Sequence, residues 1–250
     1  PLDLDAFRAA WGDAADAFSA LRTTFAWEDL SAPVQLIWRS EAFEFPISFA
    51  DFSDRAEDVQ KHDLVDWLGA DQKRGIDLAT GPLARLALVR LAPDRHAFLF
   101  SFHHAILDGW SVARVLQAVL ASYGQRAAGL APSPLITRPY RDFVRYLEQR
   151  DQGADRAYWE DCLVGAERLP LWRGAPRDGG EGWHEISSEI TPERHEAISA
   201  FARGHGWTWA TLAQAAWARV LADRTGCADV VFGVTTSGRP AELEDAEDMV

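Results

Sequence analysis

The order of apolar and polar positions predicts alternating helices and strands in the first third of the chain. Apolar side chains recur at helical spacing over residues 3–20, where we expect an amphipathic helix. Residues 21–27 and 34–38 have strand composition, and the short turn-forming stretch between them favours a hairpin. A third apolar run covers residues 45–52, and a helix is expected over residues 56–75.

Two further strands lead into a polar cluster. Residues 86–91 and 97–102 are apolar runs of strand length, and the turn-forming residues 93–96 join them. Beyond the cluster, apolar side chains return at helical spacing over about residues 110–126. Polar residues 103–108 therefore lie where a strand ends and a helix begins, which is a common place for α/β proteins to carry functional side chains.

The second half of the chain contains a predicted linker. A helix is expected to begin at Tyr140 and to continue through Tyr158 and Trp159. Residues 166–183 contain four glycines and two prolines, which is typical of a linker. We therefore divide the chain into a first lobe, residues 1–170, and the start of a second lobe, residues 171–250.

The second lobe is expected to contain both strands and helices. Residues 185–190 and 229–234 have strand composition, and the second of these runs should be buried. Thr191, followed by a proline at the first helical position, and Thr208 are each expected to cap a helix.

Composition excludes several classes of protein. The chain is 48% hydrophobic and 25% charged, as expected for a soluble globular protein, and it contains no apolar run of about 18 residues that could form a membrane span. A net charge of −13 argues against nucleic acid and anionic membranes as partners. Cys162 and Cys227 are far apart, so we expect no disulfide framework and a cytoplasmic location. The first residues resemble neither a signal peptide nor a native start, which indicates an excised piece.

The polar cluster has the residue types of a catalytic site. Successive side chains of a strand point to opposite faces, so His103 and His104 should not both face one cavity. Imidazole suits a general base because it titrates near neutral pH. Asp108 can enter the site, pair with a cation or cap the next helix, and Gly109 permits a positive φ or a close approach of the backbone to a ligand. A purely structural cluster remains the alternative, and no metal site is expected because the histidines diverge and no cysteine lies at a suitable spacing.

The string HHAILDGWS, residues 103–111, resembles the HHxxxDG motif of the condensation domains of nonribosomal peptide synthetases. These domains belong to a wider acyltransferase superfamily that includes chloramphenicol acetyltransferase. Four other segments resemble the same family in the same order, namely residues 21–25, 76–85, 140–143 and 229–240. The sequence departs from the family at residues 17–19, which are Ala-Phe-Ser where the family has Arg-His-Glu, and only Arg22 of that motif carries over.

The resemblance implies an α/β, chloramphenicol-acetyltransferase-like two-layer sandwich, here the later part of an N-terminal lobe and the start of a similar C-terminal lobe. It implies amide formation between acyl and aminoacyl thioesters, with His104 as general base or positioning group. The Gly109 amide is a possible oxyanion donor, His103 is structural, and Asp108 forms an ion pair for which Arg22 is the candidate partner.

The implied partners are donor and acceptor carrier-protein domains and an adjoining adenylation domain. The substrates are carried on phosphopantetheine, with no cofactor bound directly by this chain. Two alternatives remain open: a catalytically inactive or truncated module that docks carrier proteins, and a free-standing acyltransferase of the same superfamily.

Overall fold

The computed structural model describes residues 2–135, 137–167, 186–240 and 242–250. Their contacts form two compact units. The first unit runs to Arg150 and also includes Ser237–Val250, and the second is Asp151–Thr236. The lobe boundary predicted at residues 170/171 lies outside the described residues and stays a prediction.

The first unit contains the helices and strands predicted for residues 3–126, followed by a further helix. In chain order they are α1 (Leu4–Ala17), β1 (Thr23–Ala26), β2 (Val34–Ile37), β3 (Ile47–Asp51), α2 (Glu57–Arg74), β4 (Ala84–Ala92), β5 (Arg95–Phe102), α3 (Gly109–Ala127) and α4 (Tyr140–Glu148). Each predicted element of residues 3–126 is confirmed in type and order.

The strands form a hairpin and a three-stranded sheet. β1 and β2 pair antiparallel, and the sheet has the order β3-β4-β5. β4 is parallel to β3 and antiparallel to β5. Because parallel neighbours need a crossover connection, α2 lies between β3 and β4 in the chain. The central strand β4 is buried through most of its length, and it holds β5 with the polar loop that follows β5.

The core of this unit lies between α1, the sheet and α3. The apolar face of α1 places Trp11 against Phe45, with ring centroids 4.7 Å apart. Val115 of α3 is fully buried in the same cluster. α1 and α3 are also joined by an ion pair in which Arg126 Nη2 lies 2.6 Å from Asp13 Oδ1. These contacts fix the position of α3, whose first residues follow the polar loop.

The second unit contains α5 (Gln152–Cys162), α6 (Pro192–Gly204) and α7 (Trp209–Thr225). The predicted caps are confirmed, since the Thr191 hydroxyl accepts from the Arg194 N–H and the Thr208 hydroxyl accepts from the Thr211 N–H. The single helix predicted from Tyr140 through Trp159 is wrong. α4 ends at Glu148, and the Asp151 carboxylate caps a new helix.

The two strands predicted for the second half are also wrong where the structure describes them. Residues 229–234 and 186–190 have no strand structure, and the buried strand expected at residues 229–234 is largely exposed. A strand satisfies its backbone groups through a neighbouring strand, and no described residue pairs with either run. The predicted linker lies almost entirely outside the described residues. Among the helices that are described, none is long and apolar enough to cross a membrane.

Candidate functional site

The loop that follows β5 holds the two histidines. β5 ends at Phe102, and the His103 N–H then donates to the Leu83 carbonyl at 2.8 Å, which continues the pairing for one more residue. The chain next turns, and the buried side chains of Ile106 and Leu107 anchor the turn in the core. The loop is therefore anchored in the core, although the histidines themselves lie near the surface.

The two histidines make different contacts. His103 Nδ1 accepts a hydrogen bond from the Ala105 N–H at 3.0 Å, so this imidazole holds the turn. His104 Nδ1 lies 3.1 Å from the Leu107 carbonyl oxygen, and its ring packs edge-on against Phe102. Both residues lie beyond the end of β5, so the turn separates their side chains. The sequence analysis attributed this separation to the alternation of side chains along a strand, which does not apply beyond Phe102.

The Leu107 contact determines the protonation pattern of His104. A carbonyl oxygen can only accept a hydrogen bond, so Nδ1 must carry the proton. In a neutral imidazole Nε2 then holds the free lone pair. No described residue is hydrogen bonded to Nε2. His104 is thus oriented by its own loop and keeps one nitrogen available as an acceptor.

Asp108 caps α3 and pairs with an arginine from the end of the chain. Its Oδ1 accepts from the Ser111 N–H at 2.7 Å, and Arg239 Nη1 lies 2.8 Å from Oδ2. Burial alone would raise the pKa of Asp108, but the hydrogen bonds from Arg239 and Ser111, with the nearby guanidinium charge, lower this pKa to about 2. The carboxylate is therefore ionised at neutral pH and binds the loop rather than exchanging protons.

The ion pair predicted between Asp108 and Arg22 is wrong. The Arg22 guanidinium donates to three backbone carbonyls, those of Ala15, Asp16 and Trp38. These bonds fasten the end of α1 to the β1–β2 hairpin. Arg22 therefore supports the fold beside the site. The ion pair with Asp108 that the sequence analysis assigned to Arg22 is formed by Arg239 instead.

Gly109 is the first residue of α3, and its φ is not positive, contrary to one of the two options raised by the sequence. A Cβ at this position would meet no atom within 4 Å, so no neighbouring protein atom requires glycine here, and the close approach of backbone to a ligand stays a prediction. Its N–H makes no hydrogen bond with the described part of the chain, which leaves a donor at the positive end of a helix.

A cavity of about 250 Å³ opens beside His104. His104, Asp108 and Arg239 line it, whereas His103, Gly109 and Arg22 do not. The remaining walls are mainly apolar and aromatic, and they include Phe25, Ile106, Leu107, Tyr140, Phe143, Met249 and Val250. A polar cluster at one side of an apolar cavity has the general character of a small-molecule site.

Sequence reasoning missed the residues that close this cavity from the end of the chain. Besides Asp108, Arg239 binds the Ser111 hydroxyl at 3.0 Å and the Met249 carbonyl at 3.2 Å. Trp110 Nε1 donates to the Glu247 carbonyl at 2.9 Å, and Arg114 pairs with Asp248. The resemblance of residues 229–240 to a family segment was the available signal, because it marked Arg239 without indicating its partner.

Comparisons with known proteins identify the family of the chain. The family model described as Condensation domain matches residues 1–250. One subunit of the linear gramicidin synthase of Brevibacillus parabrevis is 35% identical over 254 residues, a match that covers 100% of this chain and 3% of that protein. Bacitracin synthase 1 of Bacillus licheniformis is 32% identical and is matched over 92% of this chain and 4% of its own length. The chain thus spans only a small part of these relatives.

Solved structures share the fold. The X-domain from teicoplanin biosynthesis is 25% identical, with a TM-score of 0.77 over 100% of this chain and 56% of the other. The first condensation domain of the calcium-dependent antibiotic synthetase, in complex with a substrate analogue, is 23% identical with the same TM-score of 0.77, over 100% of this chain and 59% of that domain. The α/β fold predicted from the sequence is confirmed, and the chain belongs to the Condensation domain family.

Proposed function

We propose that this chain catalyses amide formation between two thioesters, an acceptor aminoacyl thioester and a donor acyl thioester, each carried on the phosphopantetheine arm of a carrier protein. The observation that carries the proposal is the orientation of His104. Its Nδ1 is committed to the Leu107 carbonyl, and the residue lines a largely apolar cavity with Nε2 unpartnered among the described residues. Family membership supports the reaction class.

In the proposed reaction the acceptor amine attacks the thioester carbon of the donor. The new C–N bond forms, the carbonyl oxygen becomes an oxyanion, and the C–S bond then breaks to release the donor's carrier thiolate. His104 Nε2 accepts a hydrogen bond from the amine, which positions the nitrogen for attack, and it receives the proton that the amine must lose. That proton leaves with the thiolate as a thiol.

The remaining predicted site residues have supporting roles in this proposal. Asp108, held by Arg239, fixes the beginning of α3 and the turn that carries His104. His103 holds the same turn through the Ala105 N–H. The Gly109 N–H stays our predicted oxyanion donor, because it lies at the beginning of α3, directly follows cavity-lining Asp108 and is not bonded within the described ranges.

The proposed reaction also implies the partners of this chain. Donor and acceptor carrier domains would present the two thioesters, and an adjoining adenylation domain would supply the activated amino acid. No cofactor is required in the chain itself, because the thioester bond supplies the activated acyl group. We place this activity in the cytoplasm.

The experiment compares His104→Ala with His103→Ala in the full-length chain, using carrier-bound donor and acceptor. We expect His104→Ala to lower the rate of amide formation roughly 10²–10⁴-fold, because this is the usual loss when an acid–base group is removed. The melting temperature of the variant should not fall. His103→Ala is the matched control and should cost less than about tenfold. A His104→Ala variant that makes product at a near-parental rate would overturn the proposal.

A further inference from the structure

Gln35 is a polar residue of the cavity beside His104 that takes no part in the proposed reaction. It lies in β2 directly opposite Phe25 of β1, so the two side chains share one face of the hairpin. Both residues line the cavity. The hairpin therefore presents a side-chain amide to a cavity whose other walls are mainly apolar and aromatic.

Two hydrogen bonds determine the orientation of this amide. The buried Thr23 hydroxyl donates its single proton to the Ser19 carbonyl at 3.0 Å. Towards Gln35 the hydroxyl can then only accept, so the Gln35 atom that lies 3.1 Å from it is the amide nitrogen Nε2. The carbonyl oxygen Oε1 therefore lies on the side of the amide that faces away from Thr23.

The Gln35 Oε1 atom is an acceptor without a donor in the part of the chain that the structure describes. The charged groups that line the same cavity differ, because Asp108 and Arg239 bind each other. In the proposed reaction His104 Nε2 binds the acceptor amine. Gln35 thus supplies the cavity with a second, neutral acceptor, and the group that complements a carbonyl oxygen is an N–H donor on a ligand.

The size of the cavity restricts which N–H group this can be. Its volume of about 250 Å³ is below the range of roughly 300–1,000 Å³ that is usual for drug-sized ligands, so it suits the groups next to the reacting carbon. In an N-acylated aminoacyl donor, the α-nitrogen is two bonds from the thioester carbon. The nearest amide of a phosphopantetheine arm is four bonds away, on the far side of the sulfur.

We propose that Gln35 is a specificity-determining residue for the donor, with Oε1 accepting a hydrogen bond from the α-N–H of an N-acylated aminoacyl or peptidyl thioester. The inference rests on the proposed function and deepens it, because it names the class of donor. A fatty acyl or acylated hydroxy-acid donor has no N–H at this position. Such a donor removes water from Oε1 without replacing its hydrogen bond, and this loss disfavours it.

The test compares two donors that differ in one group. The N-acetylalanyl thioester carries the N–H, the O-acetyllactyl thioester has an ester oxygen in its place, and both enantiomers of each are loaded onto the donor carrier protein. For the faster enantiomer, we expect kcat/KM of the full-length parent to be about tenfold higher with the N–H donor, because one hydrogen bond distinguishes the two. In Gln35→Leu this ratio should fall below about twofold.

Two further variants separate donor recognition from a structural role of the bond to Thr23. Gln35→Glu keeps an acceptor oxygen at the same reach and should retain the preference for the N–H donor. Gln117→Leu makes the same substitution on the exposed surface of α3, away from the cavity, and should also retain it. An equal loss of activity on both donors in Gln35→Leu, or a Gln35→Glu variant without the preference, would overturn the assignment.

A binding measurement distinguishes failure of this inference from failure of the proposed function. The probes are unreactive amide analogues of the two donors, in which nitrogen replaces the thioester sulfur of N-acetylalanyl and O-acetyllactyl pantetheine. The full-length parent should bind the N-acetylalanyl probe about tenfold more tightly, and Gln35→Leu should remove the difference. If the parent makes no amide but keeps this preference, the proposed function fails and the N–H contact of Gln35 stands. Equal binding of the two probes overturns the contact whatever the activity.

Discussion

Arg239 and Asp108 are 131 positions apart in the sequence, and Nη1 of the arginine lies 2.8 Å from Oδ2 of the aspartate. The Arg239 side chain is only 13% exposed, whereas that of Asp108 is 47% exposed. Because Arg239 also binds Ser111 and the Met249 carbonyl, one guanidinium fastens the beginning of α3 to the last residues of the chain. The His104 loop is thus held in place by a contact between residues that are distant in the sequence.

Replacing this arginine should destabilise the first unit. Arg239→Gln removes the ion pair and leaves the Ser111 hydroxyl and the Met249 carbonyl without their donor. The Asp108 side chain is about half exposed, so solvent weakens the ion pair. We therefore expect the free energy of unfolding to fall by about 1–2 kcal/mol, which is towards the lower end of the usual contribution of a hydrogen bond to a charged group. Urea unfolding of parent and variant measures the difference.

Arg219→Gln is the control for that measurement. Arg219 pairs with Asp223 at 3.0 Å on the surface of α7, and its side chain is 78% exposed. Its loss should change the free energy of unfolding by less than about 0.5 kcal/mol. Equal losses for the two variants would show that the Arg239 contact is no more than a surface pair.

The same ion pair predicts how stability depends on pH. Burial raises the pKa of Asp108, but the hydrogen bonds and charge of Arg239 and Ser111 outweigh it and lower the pKa to about 2, from an ordinary value of 3.8. Because the folded value is the lower one, the ionised carboxylate stabilises the fold. Its contribution is complete above about pH 5 and is lost as pH falls from about 4 towards 2.

Unfolding experiments on the parent and on Asp108→Asn, between pH 3 and pH 7, test this dependence. Asparagine keeps a cap acceptor but has no charge, so the variant should be less stable at pH 7, and the difference in free energy of unfolding should shrink below about pH 4. Other carboxylates with lowered pKa, such as Asp13 and Asp71, contribute to both proteins and cancel in the comparison. A difference that is constant across the range would contradict the prediction.

Gln60 should tolerate substitution poorly, although it lies in a surface helix. This buried side chain donates from Nε2 to the carbonyls of Phe52, Arg55 and Leu91 at 3.0–3.1 Å, and its Oε1 accepts from Arg95. Gln60→Glu replaces the donor with an oxygen that faces the three carbonyls. We expect a loss of about 2–4 kcal/mol in the free energy of unfolding at neutral pH, measured by urea unfolding.

Gln72→Glu is the matched control, because Gln72 lies in the same helix and is exposed. The same change of charge should have little effect there. Comparable losses at the two positions would mean that charge in α2, rather than the buried hydrogen bonds, determines the cost.

Much of the first unit could be predicted from the sequence because its signals are local. The apolar spacing of α1 and the apolar runs of strand length at β4 and β5 act within a few residues, and each corresponds to an observed element. The site loop could also be located, because a strand pattern ends and a helix pattern begins on either side of it.

Partners distant in the chain could not be predicted in the same way. Arg22 and Arg239 both lie in segments that resemble the family, and no periodic pattern distinguishes which guanidinium reaches Asp108. The Arg22 guanidinium donates to nearby backbone carbonyls, and these contacts arise only from the packing of α1 against the hairpin. Residues 229–234 show the same limit, because β-branched composition indicates a strand but does not provide a neighbour for it.

The long separation between Asp108 and Arg239 also has a consequence for the timing of biosynthesis. A ribosome completes the α1, sheet and α3 segments well before it reaches Arg239, and at typical elongation rates the intervening residues take roughly ten seconds. Throughout that interval the loop that carries His104 lacks the ion pair between Asp108 and Arg239. The His104 loop should therefore reach its final arrangement late in translation, after residues 237–250 have been synthesised and have docked against α3.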